Sequence, residues 1–187
     1  MKIIHTSLPD LLIIEPDVFE DDRGYFFESF NKNDFSKASL NFDFVQDNQS
    51  KSGYGVIRGL HYQLEPYAQT KLVRVLEGKI FDVCVDIRKG SPTFGKWKRV
   101  ELSEVNKRQA LVPKGFAHGF SVLSETAVVF YKCDDFYQKS SERGIIYNDP
   151  SINIDWGIDP NLAIISEKDR THPLFKDSEM NFKFKQN

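Results

Sequence analysis

The chain has 187 residues, with 25 basic and 27 acidic side chains, 16 Phe, 7 Tyr and two cysteines. That length suffices for one domain that buries roughly 70% of its unfolded surface without a disulfide or metal, and the balanced charge speaks against the basic face of a nucleic-acid-binding or membrane-surface protein, so an anionic ligand must be caught by a local pocket. Cys84 and Cys133 each sit in an apolar run and read as buried free thiols of a reducing compartment, while the apolar run 11–14 follows Pro9 and Asp10 and is too short for a signal-peptide core or a membrane span; the expected location is cytoplasmic.

The aromatic content and recurring turn residues predict short strands. In chain order these fall at 11–15 and 25–30, followed by a helical turn from Asn31 or Asn33 through Phe35 to Ala38. Strands resume at 44–49, 55–62 and 71–78. The segment 81–87 alternates: Phe81, Val83, Val85 and Ile87 share one face, and Asp82, Cys84 and Asp86 the other. Arg88-Lys89-Gly90-Ser91-Pro92 ends it. Further strands are predicted at 98–103, 109–113, 119–123 and 126–133. Ser166-Glu167-Lys168-Asp169 has the spacing of a helix cap with an acidic third residue. No repeat, low-complexity tract or linker divides the sequence, so 1–187 reads as one domain. Many short strands and few helices point to an antiparallel barrel or jelly roll, whose interior takes every second residue of each strand. Tyr62, Lys71 and the polar face of 82–86 compete for those positions.

One segment carries most of the chemistry. Arg58-Gly59-Leu60-His61-Tyr62-Gln63 is followed by Lys71 ten residues after the histidine. An imidazole can accept a proton at neutral pH. A fixed cation can hold the negative charge left behind. An arginine grips phosphate with a planar fork of donors. Together they suit proton abstraction from a phosphate-bearing substrate; three unrelated polar residues on a half-exposed strand is the competing reading. Further polar stretches are Arg23-Gly24-Tyr25-Phe26-Phe27-Glu28, Gln46-Asp47-Asn48-Gln49-Ser50 and Pro113-Lys114-Gly115-Phe116-Ala117-His118-Gly119-Phe120.

With 22–28, 46–48, 57–63, 71–75, 113–120 and 166–169 in this order, the chain closely resembles the dTDP-4-dehydrorhamnose 3,5-epimerase family. The resemblance runs from Pro9 to about Asp169. It implies a mainly β, antiparallel jelly-roll (cupin) barrel with short peripheral helices. It also implies a dTDP-linked 4-keto-6-deoxyhexose substrate, no cofactor or metal, and a homodimer with shared active sites. By resemblance His61 is the base, Asp169 its orienting partner, Lys71 the stabiliser of the enolate and Tyr131 the acid on the opposite face. Arg23, Arg58 and His118 are then candidates for the diphosphate, and Phe26 and Tyr137 for stacking on thymine. Glu28, Gln46, Asn48, Glu142 and Lys168 match family contacts to base, ribose or phosphate. The segment 23–28 is expected to reach a neighbouring subunit.

Simpler readings stand beside these. Asp169 could serve only a helix start, and Tyr131 could be a core aromatic. Asp82 and Asp86 are expected in supporting or surface roles, and His5 and His172 as solvated and idle. Pro113-x-Gly115-x-x-His118 is also half of a metal-binding cupin pattern, but Gln63 stands where that pattern needs a second histidine. A C3-only epimerase, a metal-dependent cupin and a non-catalytic sugar-nucleotide binder are the alternatives.

Overall fold

The computed structural model describes residues 1–184. Its strands are β1 Lys2–His5, β2 Leu12–Glu15, β3 Phe19–Asp21, β4 Gly24–Phe26, β5 Gln46–Gly53, β6 Val56–Gln63 and β7 Lys71–Glu77. They continue with β8 Lys79–Asp86, β9 Trp97–Ser103, β10 Gln109–Val112, β11 Phe116–Val122, β12 Thr126–Cys133, β13 Glu142–Gly144 and β14 Ile164–Ile165. Two short helices accompany them, α1 Lys32–Lys37 and α2 Glu167–Arg170. None of the described helices is long and apolar enough to cross a membrane.

Two sheets face each other in a jelly-roll barrel. One has the order β1-β2-β10-β7-β12-β5, the other β13-β6-β11-β8-β9, with β14 added in parallel to β6. Between them lies an apolar core that includes Val73, Val75, Cys84, Phe116, Phe120, Ala127 and Val129. The outer face of the first sheet is covered by α1 and its flanks, where Phe35 packs on Leu12, Ile14, Leu72 and Leu111. Asn31 starts α1, its side chain accepting from the Asn33 amide at 3.0 Å. The outer face of the second sheet is covered by the C-terminal third, with Ile145, Trp156, Ile165, Met180 and Phe182 against Leu60, Tyr62, Val83 and Val85.

This second covering corrects one expectation. Tyr62 points outward into the C-terminal layer, and its hydroxyl donates to the Glu179 carbonyl at 2.6 Å. In β8 both faces are buried. The polar side, Asp82 and Cys84, faces the barrel interior, and the apolar side packs outside against the C-terminal layer. Neither Asp82 nor Asp86 is a surface residue. Asp86 accepts from Arg88, Ser91 and Thr93, which fixes the loop after β8. The predicted strand at 25–30 shrinks to β4, and β11 begins three residues earlier than expected. The strands β1, β3, β13 and β14 carry no apolar alternation long enough to mark them in sequence.

Candidate active site

A cavity of about 550 Å³ opens between the sheets, lined among others by Arg58, His61, Lys71, His118, Tyr131, Lys168 and Asp169. Arg58 and His61 come from β6, one sheet, and Lys71 and Tyr131 from β7 and β12, the other. His61 and Lys71 are close in sequence but reach the cavity from facing walls.

In a regular strand, positions 58 and 61 would point to opposite faces. A bulge removes the conflict. His118 pairs with His61 while Phe120 pairs with Arg58, so three residues of β6 are spanned by two of β11. Ile57, Leu60 and Tyr62 consequently share the outer cluster, and Arg58 and His61 share the cavity. Gly59 makes this possible, with φ +124° and no room for a side chain: a Cβ there would lie 2.5 Å from the Gly119 Cα. On β11, a Cβ at Gly119 would lie 2.6 Å from the Arg58 carbonyl, so the two backbones need glycine on both sides.

His61 Nε2 lies 2.7 Å from Asp169 Oδ1. The second Asp169 oxygen accepts from the Gly59 amide at 3.3 Å. Asp169 is not the capping group of α2. Ser166 is, and its hydroxyl accepts from the Asp169 amide at 3.1 Å. The cap therefore turns the Asp169 side chain toward the barrel. Burial alone would raise the Asp169 carboxyl, but the His61 contact and the Gly59 amide hold it below the ordinary carboxylate value. With Nε2 committed to a carboxylate, Nδ1 is left as the acceptor nitrogen.

Opposite, the Lys71 ammonium stands 5.8 Å from the centre of the Tyr131 ring. It has no ion-pair partner among the described residues. Burial pulls its pKa below the ordinary lysine value, against the pull of Cys133, Asp82, Cys84 and Glu142. Burial pushes the Tyr131 phenol up, so it holds its proton through the neutral range. Burial likewise raises both thiols; Cys84 and Cys133 are free, buried and poor nucleophiles.

His118 stands beside His61 on the neighbouring strand and forms a second imidazole–carboxylate pair, its Nε2 2.7 Å from the buried Asp82 Oδ2. At the rim, Glu142 joins Lys168 at 2.6 Å and the Tyr137 hydroxyl at 3.0 Å. Burial would raise Glu142, and these two partners hold it lower than usual. Gln46 accepts from the Tyr137 amide at 2.9 Å and donates to Asn48 at 3.1 Å. Arg58 donates to Ser52 at 3.0 Å.

Gln46, Asn48, Tyr137 and Glu142 do not themselves line the cavity, and three further expected residues lie apart from it. Arg23, Phe26 and Glu28 lie on or just after the β3–β4 hairpin, where Arg23 pairs with Asp21 at 2.5 Å and Phe26 is 67% exposed. Glu28 accepts from Asn31 at 3.1 Å.

Two trios could present three ligand atoms to a metal: His61, Asp169 and His172, and Asp82, Cys84 and His118. Gln63 could not join either. Its amide nitrogen donates to the Tyr67 carbonyl at 2.6 Å, and its oxygen accepts from Gln138 at 2.6 Å. Asp82 and His172 were not read as site residues from sequence. Asp82 had a signal, a carboxylate repeating with Cys84 on one strand face. His172 had only its spacing, three residues beyond Asp169. It is not solvated: its ring packs edge-on against His61 with centroids 5.5 Å apart.

Residues 5–177 match the family model described as dTDP-4-dehydrorhamnose 3,5-epimerase. The dTDP-4-dehydrorhamnose 3,5-epimerase of Shigella flexneri is 57% identical over 180 residues, covering 96% of this chain and 98% of that one. A crystal structure of the enzyme of that name from Elizabethkingia anophelis superposes with a TM-score of 0.91 at 57% identity, over 95% and 97% of the two chains. A Legionella pneumophila dTDP-6-deoxy-D-glucose-3,5-epimerase, solved with dTDP-4-keto-L-rhamnose, gives a TM-score of 0.90 at 50% identity over 94% and 93%.

Proposed function

The chain belongs to the dTDP-4-dehydrorhamnose 3,5-epimerase family, and from that premise we propose how this cavity inverts C3 and C5 of a dTDP-linked 4-keto-6-deoxyhexose. The protein is a cupin-fold isomerase of dTDP-rhamnose synthesis. Both reacting carbons flank the C4 carbonyl, so their hydrogens are acidified by it. His61 Nδ1 removes one of these protons, and the electron pair moves onto O4 as an enolate. Asp169 orients the ring and steadies the imidazolium. Lys71 faces O4 and stabilises the charge as it develops. Tyr131 returns a proton from the opposite face, which inverts the centre. Solvent then resets His61 and Tyr131 for the second carbon.

The observation that carries this reading is that base, cation and phenol line one cavity from two facing sheets. Arg58 and His118 serve the diphosphate, and Tyr137, Glu142, Lys168, Gln46 and Asn48 the nucleoside side of the rim. Arg23, Phe26 and Glu28 complete the site of a second copy in a homodimer. In support, Phe19, Tyr25 and Phe26 are 66%, 56% and 67% exposed on one hairpin, an apolar surface that asks for a partner. The whole chain works as one domain, without metal, in the cytoplasm, where its two unpaired cysteines fit a reducing medium.

The test is incubation with dTDP-4-keto-6-deoxyglucose in deuterated water. Deuterium is expected at both C3 and C5, and in neither position with His61→Ala. Label at C3 alone would make this a C3 epimerase. Label at either carbon in a folded His61→Ala protein would mean another base.

A further inference from the structure

His172 is the one imidazole near the cavity to which the reaction above gives no task. It follows α2, lies against His61 and Asp169, and is not among the residues lining the cavity. Its Nε2 is buried without a hydrogen-bond partner. Asp169 Oδ1 lies 3.6 Å from it. That same oxygen holds His61 at 2.7 Å. A buried polar nitrogen left without a partner destabilises the fold, so its retention calls for a reason.

The seat for this ring is built. Gly144 of β13 pairs with His61, and a Cβ at Gly144 would lie 2.4 Å from His172 Nε2. Only a glycine there leaves room for the imidazole. The following residue is anchored, because the Ile146 amide donates to the Pro173 carbonyl at 2.9 Å. The ring is thus set edge-on to His61 and aimed at the carboxylate.

We infer that His172 is a positioning residue for the dyad, its Nε2–H pointing at Asp169 Oδ1 so that one carboxylate oxygen is divided between two imidazoles. The distance is too long for a hydrogen bond in the free protein, but the attraction between an N–H dipole and a carboxylate acts across it, and such contacts tighten as charge develops. The charged and titratable groups facing the ring are Asp169 on its own side, His61 on β6, and Glu142 and Lys168 at the rim. Burial first, then His61 and Lys168, hold the His172 ring below the ordinary histidine value, against Asp169 and Glu142. It is therefore neutral at neutral pH and adds no cation beside the imidazolium that forms on His61. Two consequences follow. The carboxylate is restrained from both sides. Its pull on the His61 N–H is shared, which leaves His61 readier to give up its proton between the two inversions.

This inference rests on His61 being the base, and the test keeps the two apart. Rate–pH profiles are measured for wild type, His172→Phe and His172→Gln, all dialysed against a strong chelator. His172→Phe keeps the ring but removes the N–H, and His172→Gln restores a donor. In His172→Phe the acid limb is expected to move to higher pH by about half a unit, and kcat on the plateau to fall several-fold with KM nearly unchanged. His172→Gln is expected to return the limb to the wild-type position. A limb that stays put in His172→Phe, or moves equally in both variants, makes His172 a packing residue and overturns the proposal. Activity lost on chelation and restored by a divalent metal ion would make the trio a metal site and overturn it too. If His61→Ala retains exchange, it is the assignment of the base that fails, whatever the His172 variants do.

Discussion

Tyr131 and His61 enter one cavity from facing sheets, the arrangement that the proposed acceptor and donor on opposite sides of a planar sugar enolate require. Tyr131→Phe keeps the ring and its packing and removes the donor. Inversion at C5 is expected to fall by about two to four orders of magnitude. Exchange at C3 should persist in part, because His61 still removes protons and solvent can return them. dTDP affinity should be unchanged. A deuterium time course at both carbons, with a dTDP binding isotherm, checks this. Wild-type C5 inversion would make Tyr131 a wall residue.

Lys71 should be responsible for an alkaline limit on the rate. Burial lowers its pKa from 10.5, so its charge, and the enolate stabilisation it gives, is lost as pH rises toward that value. Lys71→Met should lower kcat by about two to three orders of magnitude. Lys71→Arg should be slower than wild type but should lack the alkaline limb, since a guanidinium stays charged. Rate–pH profiles of the three proteins decide it. An unchanged limb in Lys71→Arg would assign it to another group.

The proposed sharing of sites between two copies makes a prediction about mixtures. His61→Ala and Arg23→Ala chains should each be weak alone. In a mixed dimer one site carries both defects and the other neither. Random pairing then regenerates roughly a quarter of the wild-type sites. The measurement is activity after co-refolding, with molar mass by light scattering. A monomer, or a mixture no better than the mean of its parents, counts against a site completed by the second copy.

Asp86 should matter to stability and not to chemistry. Its carboxyl is buried on Arg88, Ser91 and Thr93 and sits below the reference value of 3.8; burial opposes this and the donors outweigh it. A depressed carboxyl contributes stability above its unfolded value and loses it as pH falls through the folded one. Asp86→Asn is expected to cost about 1–3 kcal/mol near pH 7, because it leaves Arg88 with Asp10 as its remaining carboxylate and weakens the charged hydrogen bonds to Ser91 and Thr93. The gap to wild type should narrow below about pH 4. Urea unfolding at pH 7 and at pH 3.5 tests both statements.

Activity should survive thorough chelation, because Gln63 is tied to backbone groups and cannot supply a ligand. Assay after dialysis, with elemental analysis of the protein, is the check. Activity that returns only with a stoichiometric divalent ion would reverse the conclusion.

Much of this was legible in the residues. The strands 71–77 and 126–133 announced themselves by apolar content, and Ser166 by its cap spacing. His61, Lys71 and Asp169 came from the ordered motifs, and Tyr131 from the family resemblance alone. Three things were hidden for physical reasons. Alternation in β8 shows which residues share a face, but not which face is inside when both are covered. Tyr62 was misplaced because period-two counting from Arg58 takes no account of a bulge. His172 gave only its spacing from Asp169, since its meaning depends on Gly144, 28 positions earlier and without a side chain.

The bulge at Gly59 also bears on how such a site can arise. Side chains on a regular strand have parity: odd positions see one world and even positions the other. Arg58 and His61 differ by three, so no regular strand can offer both to one ligand. A single inserted residue changes the parity of everything after it while leaving the outer packing of Ile57 in place. The two side chains share one wall of this barrel only because the extra residue is taken up by the bulge: draw Gly59 into the regular ladder and Arg58 keeps its place in the cavity, while His61 faces the wrong side of the wall.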